Sequence, residues 1–131
     1  MIDHVTFGVT DFVRSTRFYD LAFAPLGVTL LHEVPVELSG GVRVAGYGDD
    51  RPWFWLAEER ATSGLLHIAL QATNRAAVDA FYLAALRAGG RDNGAPGLRP
   101  HYHAHYYGAF VLDPDGHNIE AVCHNSEEVS P

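Results

Sequence analysis

The chain has 131 residues, 47% of them hydrophobic, and carries 16 acidic side chains against nine arginines and no lysine, a formal charge of -7. That size suits one domain with its own core, and an acidic chain without a basic run is unsuited to nucleic acid. One cysteine excludes an internal disulfide framework and favours a reducing, cytoplasmic compartment, and no stretch approaches the roughly 20 apolar residues that span a bilayer.

Residues 2–9 (IDHVTFGV) alternate, with Val5, Phe7 and Val9 on one face and His4, Thr6 and Gly8 on the other, which predicts a strand rather than a signal peptide. Thr10 or Asp11 then caps a helix over 12–23, with Phe12, Thr16, Tyr19 and Phe23 at three-to-four spacing, closed by Pro25 and Gly27. Extended segments are expected at 28–38, 42–47 and 53–57 (WFWLA), with turns at Ser39–Gly41 and Gly48–Asp50. After residues 58–64 the order recurs: a strand at 65–72, a cap at Thr73 or Asn74, and a helix over 75–88 ended by Gly89 and Gly90. A Pro/Gly-rich loop is expected at 92–100, then strands at 105–112 and 117–124 around the turn Asp113-Pro114-Asp115-Gly116. The last residues are polar and expected to fray.

The recurrence is an internal repeat. At a shift of 63 residues His4 falls on His67, Phe18-Tyr19 on Phe81-Tyr82 and Gly27 on Gly90. At a shift of 65, Asp50 meets Asp115, Phe54 meets Ile119 and Trp55 meets Glu120. The expectation is an α+β domain over 1–131 made of two βαβββ modules, about 1–57 and 64–124, that form a curved mixed sheet around a central cavity with the helices outside.

Strand phase says what lines that cavity. With Val5, Phe7 and Val9 toward the helix, His4 and Thr6 turn inward; with Leu66, Ile68 and Leu70 in the core, so does His67. Glu120 alternates with Ile119 and Ala121, and an apolar strand buries a carboxylate only against a metal, an arginine or hydrogen bonds. Two imidazoles and a carboxylate are the ligand set of Zn, Ni, Mn or Fe(II). The alternative for each histidine alone is a buried imidazole satisfied by hydrogen bonds.

The segments IDHVTFGVTDFVRSTRFYD, LHIAL and FVLDPDGHNIEAV resemble the vicinal oxygen chelate superfamily, which includes glyoxalase I, fosfomycin and bleomycin resistance proteins and ring-cleaving dioxygenases; the likeness runs from residue 2 to about 124. It implies paired βαβββ modules around a divalent metal held by His4, His67 and Glu120, and a homodimer. The glyoxalase I pattern has a further glutamate from the last strand of the first module. Here Trp55 takes that place and Glu58 and Glu59 are expected beyond the strand, so the set resembles the three-ligand transferases and dioxygenases.

Trp53 and Trp55, on one face of their strand, are expected to wall the cavity with Thr6, Phe110 and His103, which either suits a flat apolar ligand or fills the space left by the missing glutamate ligand. The cluster His101-Tyr102-His103-Ala104-His105-Tyr106-Tyr107 offers either a general acid or base near the cleft mouth, with His105 nearest the strand, or an exposed loop that binds metal weakly. His117 is expected to be solvated and Cys123 to be buried in the core. Glu120 and His105 are the candidate catalytic pair of a small metal-dependent lyase or isomerase acting on a small molecule. The alternatives are a non-catalytic, bleomycin-resistance-like binder of a drug, and a ring-cleaving dioxygenase or thiol transferase.

Overall fold

In the computed structural model, which describes residues 1–126, the predicted alternation builds β1 (Val5–Val9): Phe7 and Val9 are buried, and Thr6 is exposed on the opposite face. Helix α1 (Phe12–Phe23) begins where Asp11 accepts a hydrogen bond from the Arg14 N–H at 3.0 Å. Strands β2 (Thr29–Val34), β3 (Val44–Gly48) and β4 (Pro52–Glu58) complete the first half. The second half repeats the order with β5 (His67–Gln71), α2 (Arg75–Arg87), β6 (Arg91–Leu98), β7 (Tyr107–Leu112) and β8 (Asn118–Cys123). Asn74 caps α2 by accepting from the Ala77 N–H at 2.8 Å, and Gly89, at φ 101°, supplies the left-handed residue that ends it.

The strands form two four-stranded sheets of the same design, ordered β1-β4-β3-β2 and β5-β8-β7-β6. In each the first strand lies parallel to the last and the other pairs are antiparallel. This is the expected α+β architecture of paired βαβββ units. Thr6 pairs with Trp55 in one sheet and Ala69 with Glu120 in the other, so the register follows the shifts of the sequence repeat.

One core joins both halves. Phe54 meets Phe7, Tyr19 and Phe23 with ring centroids 4.9–5.2 Å apart. Helices α1 and α2 pack together, and Gly90 permits a close approach: a Cβ there would lie 2.6 Å from Val111 and 2.8 Å from Phe18. The Asp113–Gly116 turn is fastened to the first half, with Arg14 on Asp115 at 3.1 Å and the Tyr19 hydroxyl on Asp113 at 2.6 Å.

Several elements differ from expectation. The segment expected as a loop at 92–100 is mostly β6, an edge strand whose pairing with β7 is irregular around Gly94 and Gly97. An edge tolerates Pro96 and bulges that a central strand would not. Strand β2 stops at Val34, ahead of a turn over 35–41. Glu58 is the last residue of β4 rather than beyond it, and its Oε2 accepts from the Phe12 N–H at 2.6 Å, a donor at the start of α1. His117 is buried rather than solvated, because its ring lies edge-on to Phe7 and bridges Asp113 and the Thr62 carbonyl. Cys123 is in the core as expected. The terminal residues expected to fray lie outside the described residues, among which no helix is long and apolar enough to cross a membrane.

Candidate functional site

The side chains of β5, β7 and β8 that point away from the core create the site. Glu120 pairs across the sheet with Ala69 on one side and Phe110 on the other, which sets these three positions on one face. His67, two residues before Ala69, shares that face, and its Nε2 lies 2.9 Å from Glu120 Oε1. Glu120 is only 1% exposed. Its second oxygen accepts a hydrogen bond from the Tyr106 hydroxyl. Gly108 leaves room for this arrangement, since a Cβ there would stand 3.1 Å from Glu120 Oε2 and 3.2 Å from the Tyr106 ring. Burial, followed by the bond to Glu120, pushes the Tyr106 phenol well above the usual tyrosine value, so it is a neutral donor at ordinary pH.

The matching face of the first sheet has different chemistry. Trp55 pairs with Thr6 and Gly46, and its indole lies over Gly46, where a Cβ would come within 2.7 Å of the ring. His32 flanks it with ring centroids 6.1 Å apart. Trp53, two residues earlier on the same face, donates from its indole N–H to Asp49 at 3.1 Å. An indole offers no metal ligand, and the nearby carboxylate of Glu58 is engaged at α1.

His4 and His67 line one cleft of about 590 Å³, together with Asp3, Arg51, Trp53 and Leu66. His4 Nδ1 lies 2.7 Å from Asp3, which also accepts from Arg51 at 2.8 Å. The hydrogen bond from His4, and then Arg51, holds the Asp3 carboxyl below the usual range. Among the described residues, no three His, Cys, Asp or Glu side chains converge as a ready-made ligand set. The structure thus pairs His67 with Glu120 and sets His4 in the same cleft, turned toward Asp3.

The 101–107 segment contributes a residue beyond those expected. His105 is exposed, and its backbone N–H donates to His103 Nδ1 at 3.0 Å. His103 Nε2 then meets His124 Nδ1 at 2.7 Å, with the rings stacked. The side chain that reaches Glu120 is Tyr106, which sequence reasoning did not single out. Arg99 and Phe110 border the same face, with the guanidinium 5.3 Å from the Phe110 centroid and the His67 ring 5.9 Å from it on its own account.

Comparison with known proteins agrees with this architecture. The family model for the Glyoxalase/Bleomycin resistance protein/Dioxygenase superfamily matches residues 1–121. The chain belongs to that superfamily. A glyoxalase/bleomycin resistance protein from Albidiferax ferrireducens T118 is 27% identical, with a TM-score of 0.75 over 94% of this chain and 98% of that one. A glyoxalase/bleomycin resistance protein/dioxygenase family enzyme from Burkholderia phytofirmans PsJN shares the fold at 18% identity, TM-score 0.71, covering 95% and 98% of the two chains. Glyoxalase I from Zea mays shares it at 21% identity and TM-score 0.70, over 96% of this chain but 45% of the maize chain. No curated protein matches the chain.

Proposed function

We propose that this superfamily member is a metal-dependent enzyme of glyoxalase-like type that acts on a small molecule, with His4, His67 and Glu120 holding a divalent ion. The observation that carries the proposal is Glu120: a carboxylate 1% exposed, on the ligand-facing side of its sheet, whose hydrogen bonds come from one imidazole and one phenol. A buried carboxylate without a strong cationic partner is costly, and a divalent ion supplies that partner. Two imidazoles and a carboxylate suit Zn, Ni, Mn or Fe(II).

When bound, such an ion supplies Lewis acidity that stabilises negative charge developing on a substrate oxygen. The chain supplies the rest. Tyr106 fixes one oxygen of Glu120 and leaves Oε1 toward His67. Glu120 and the exposed His105 are the proposed proton-moving groups. Trp53, Trp55, Thr6, Phe110 and His103 are the proposed walls, and a homodimer of 14.3 kDa chains is the proposed assembly, checked by light scattering. The half-buried tryptophans favour one rival, a metal-free binder of a flat ligand.

Metal analysis separates the two. Tag-free protein given Mn, Zn, Ni or Fe(II) is expected to retain about one ion per chain, and His4→Ala, His67→Ala and Glu120→Ala to weaken retention by roughly tenfold or more. Occupancy below about a tenth of an ion per chain in the unmutated protein, with each metal supplied, would overturn the metalloenzyme and leave the binder.

A further inference from the structure

We infer that Arg99 is an anion-recognising residue, held beside the His67–Glu120 face to bind the carboxylate or phosphonate of a small aromatic or apolar ligand. The inference deepens the proposed function by naming a substrate class, and it rests on that reading only for the location of the reacting end. Its own support is the way the guanidinium is held. Arg99 Nη1 donates to the Gly97 carbonyl and Nη2 to the Ala95 carbonyl, both at 2.8 Å, while the group lies over the Phe110 ring. Strand β6 makes space for it: a Cβ at Gly97 would fall 3.2 Å from Nη1, and one at Gly94 3.3 Å from Nη2.

These contacts satisfy geometry but not charge. Carbonyls and a ring face orient a guanidinium without neutralising it, and no carboxylate pairs with Arg99 among the described residues. The contrast is Arg51 in the cleft lined by His4 and His67, which is committed to Asp3 at 2.8 Å. In a chain of charge -7 with no lysine, a half-buried arginine held without a counter-ion on the ligand-facing side is an electrostatic exception.

The Phe110 ring neighbours both groups, with the Arg99 guanidinium 5.3 Å and the His67 imidazole 5.9 Å from its centroid, so an anion on Arg99 is held on the same side of the sheet as His67. The free donors of the fork suit a planar carboxylate or a tetrahedral phosphonate. The two chemistries are separate arms of the same test.

The full chain, stripped of metal with EDTA, is titrated with phenylphosphonate, with benzoate and with neutral benzyl alcohol, following tryptophan fluorescence and the Arg99 Nε–H resonance. At least one anion is expected to bind and to shift that resonance. Arg99→Gln is expected to weaken its binding by roughly tenfold or more and to leave benzyl alcohol unchanged. Binding of neither anion, or a smaller loss in the variant, would overturn the inference. If the variant fails to fold, the Arg99 resonance of the unmutated protein decides, since an anion that binds without moving it is bound elsewhere. Working without metal keeps the outcomes separate: Arg99-dependent binding survives a failed metal assignment, and a metal-binding chain indifferent to Arg99 refutes only this inference.

Discussion

Two glycines on the ligand-facing side show how single residues set the character of each half. Gly46 lies under the Trp55 indole and Gly108 beside the Glu120 carboxylate, each on the strand next to the residue it accommodates. Gly46→Ala meets a rigid ring at 2.7 Å, so it is expected to cost about 1–3 kcal/mol in urea unfolding and to shift tryptophan emission as the indole is displaced. Gly108→Ala meets the more adaptable ends of Glu120 and Tyr106 at 3.1 and 3.2 Å. Its stability loss should be smaller, and its larger effect a weaker hold on added metal by equilibrium dialysis. His67, Trp55 and Glu120 were legible in the sequence because the repeat shifts put them in register. Tyr106 was not, because its role depends on the phase of β7. Tyr107 faces the other way and donates to Asp79 at 2.6 Å, which leaves Tyr106, Gly108 and Phe110 on the ligand side.

At the scale of elements, the helices were the most legible, since their starts are chemical. Asp11 and Asn74 each present a side-chain oxygen to a backbone N–H three residues on. Asn74→Ala is expected to cost about 1 kcal/mol in chemical denaturation, with the slope of the transition unchanged. Asp11→Ala should cost less, because Glu58 still accepts from the Phe12 N–H at the same terminus. The double variant Asp11→Ala/Glu58→Ala tests that sharing, and a loss no greater than the sum of the single losses would show the two acceptors to be independent. Strand β6 was the least legible element. Its Gly94, Pro96 and Gly97 read locally as a loop, and only lateral pairing with β7 makes an edge strand of them. Those glycines also make way for Arg99, a requirement visible only once the side chain is in place.

At the scale of the whole molecule, the two halves are joined by a buried polar knot as well as by apolar packing. Asp113 is 2% exposed and accepts from the Tyr19 hydroxyl, while Asp113 Oδ1 takes the N–H groups of Asp115 and His117. His117, 4% exposed, sits between Asp113 and the Thr62 carbonyl. Asp113→Ala would leave several buried donors unmatched and is expected to cost about 3 kcal/mol or more in urea unfolding. The knot also fixes a pH dependence. Burial, and then the Asp113 charge, raises the Tyr19 phenol well above its ordinary value, and burial and Asp20 do the same to Tyr47. Above about pH 10 the unfolded chain releases these protons while the folded chain keeps them, so the unfolded state binds fewer protons and stability falls as pH rises. The slope from Tyr19 alone approaches about 1.4 kcal/mol per pH unit, and below pH 10 its contribution is constant. Tyr19→Phe should therefore be less stable at pH 7, where it loses the bond to Asp113, yet decline less steeply between about pH 10 and 11.5. Equal slopes for the variant and the unmutated chain, measured by urea unfolding across that range, would show that the hydroxyl between the halves does not set the alkaline limit of this fold.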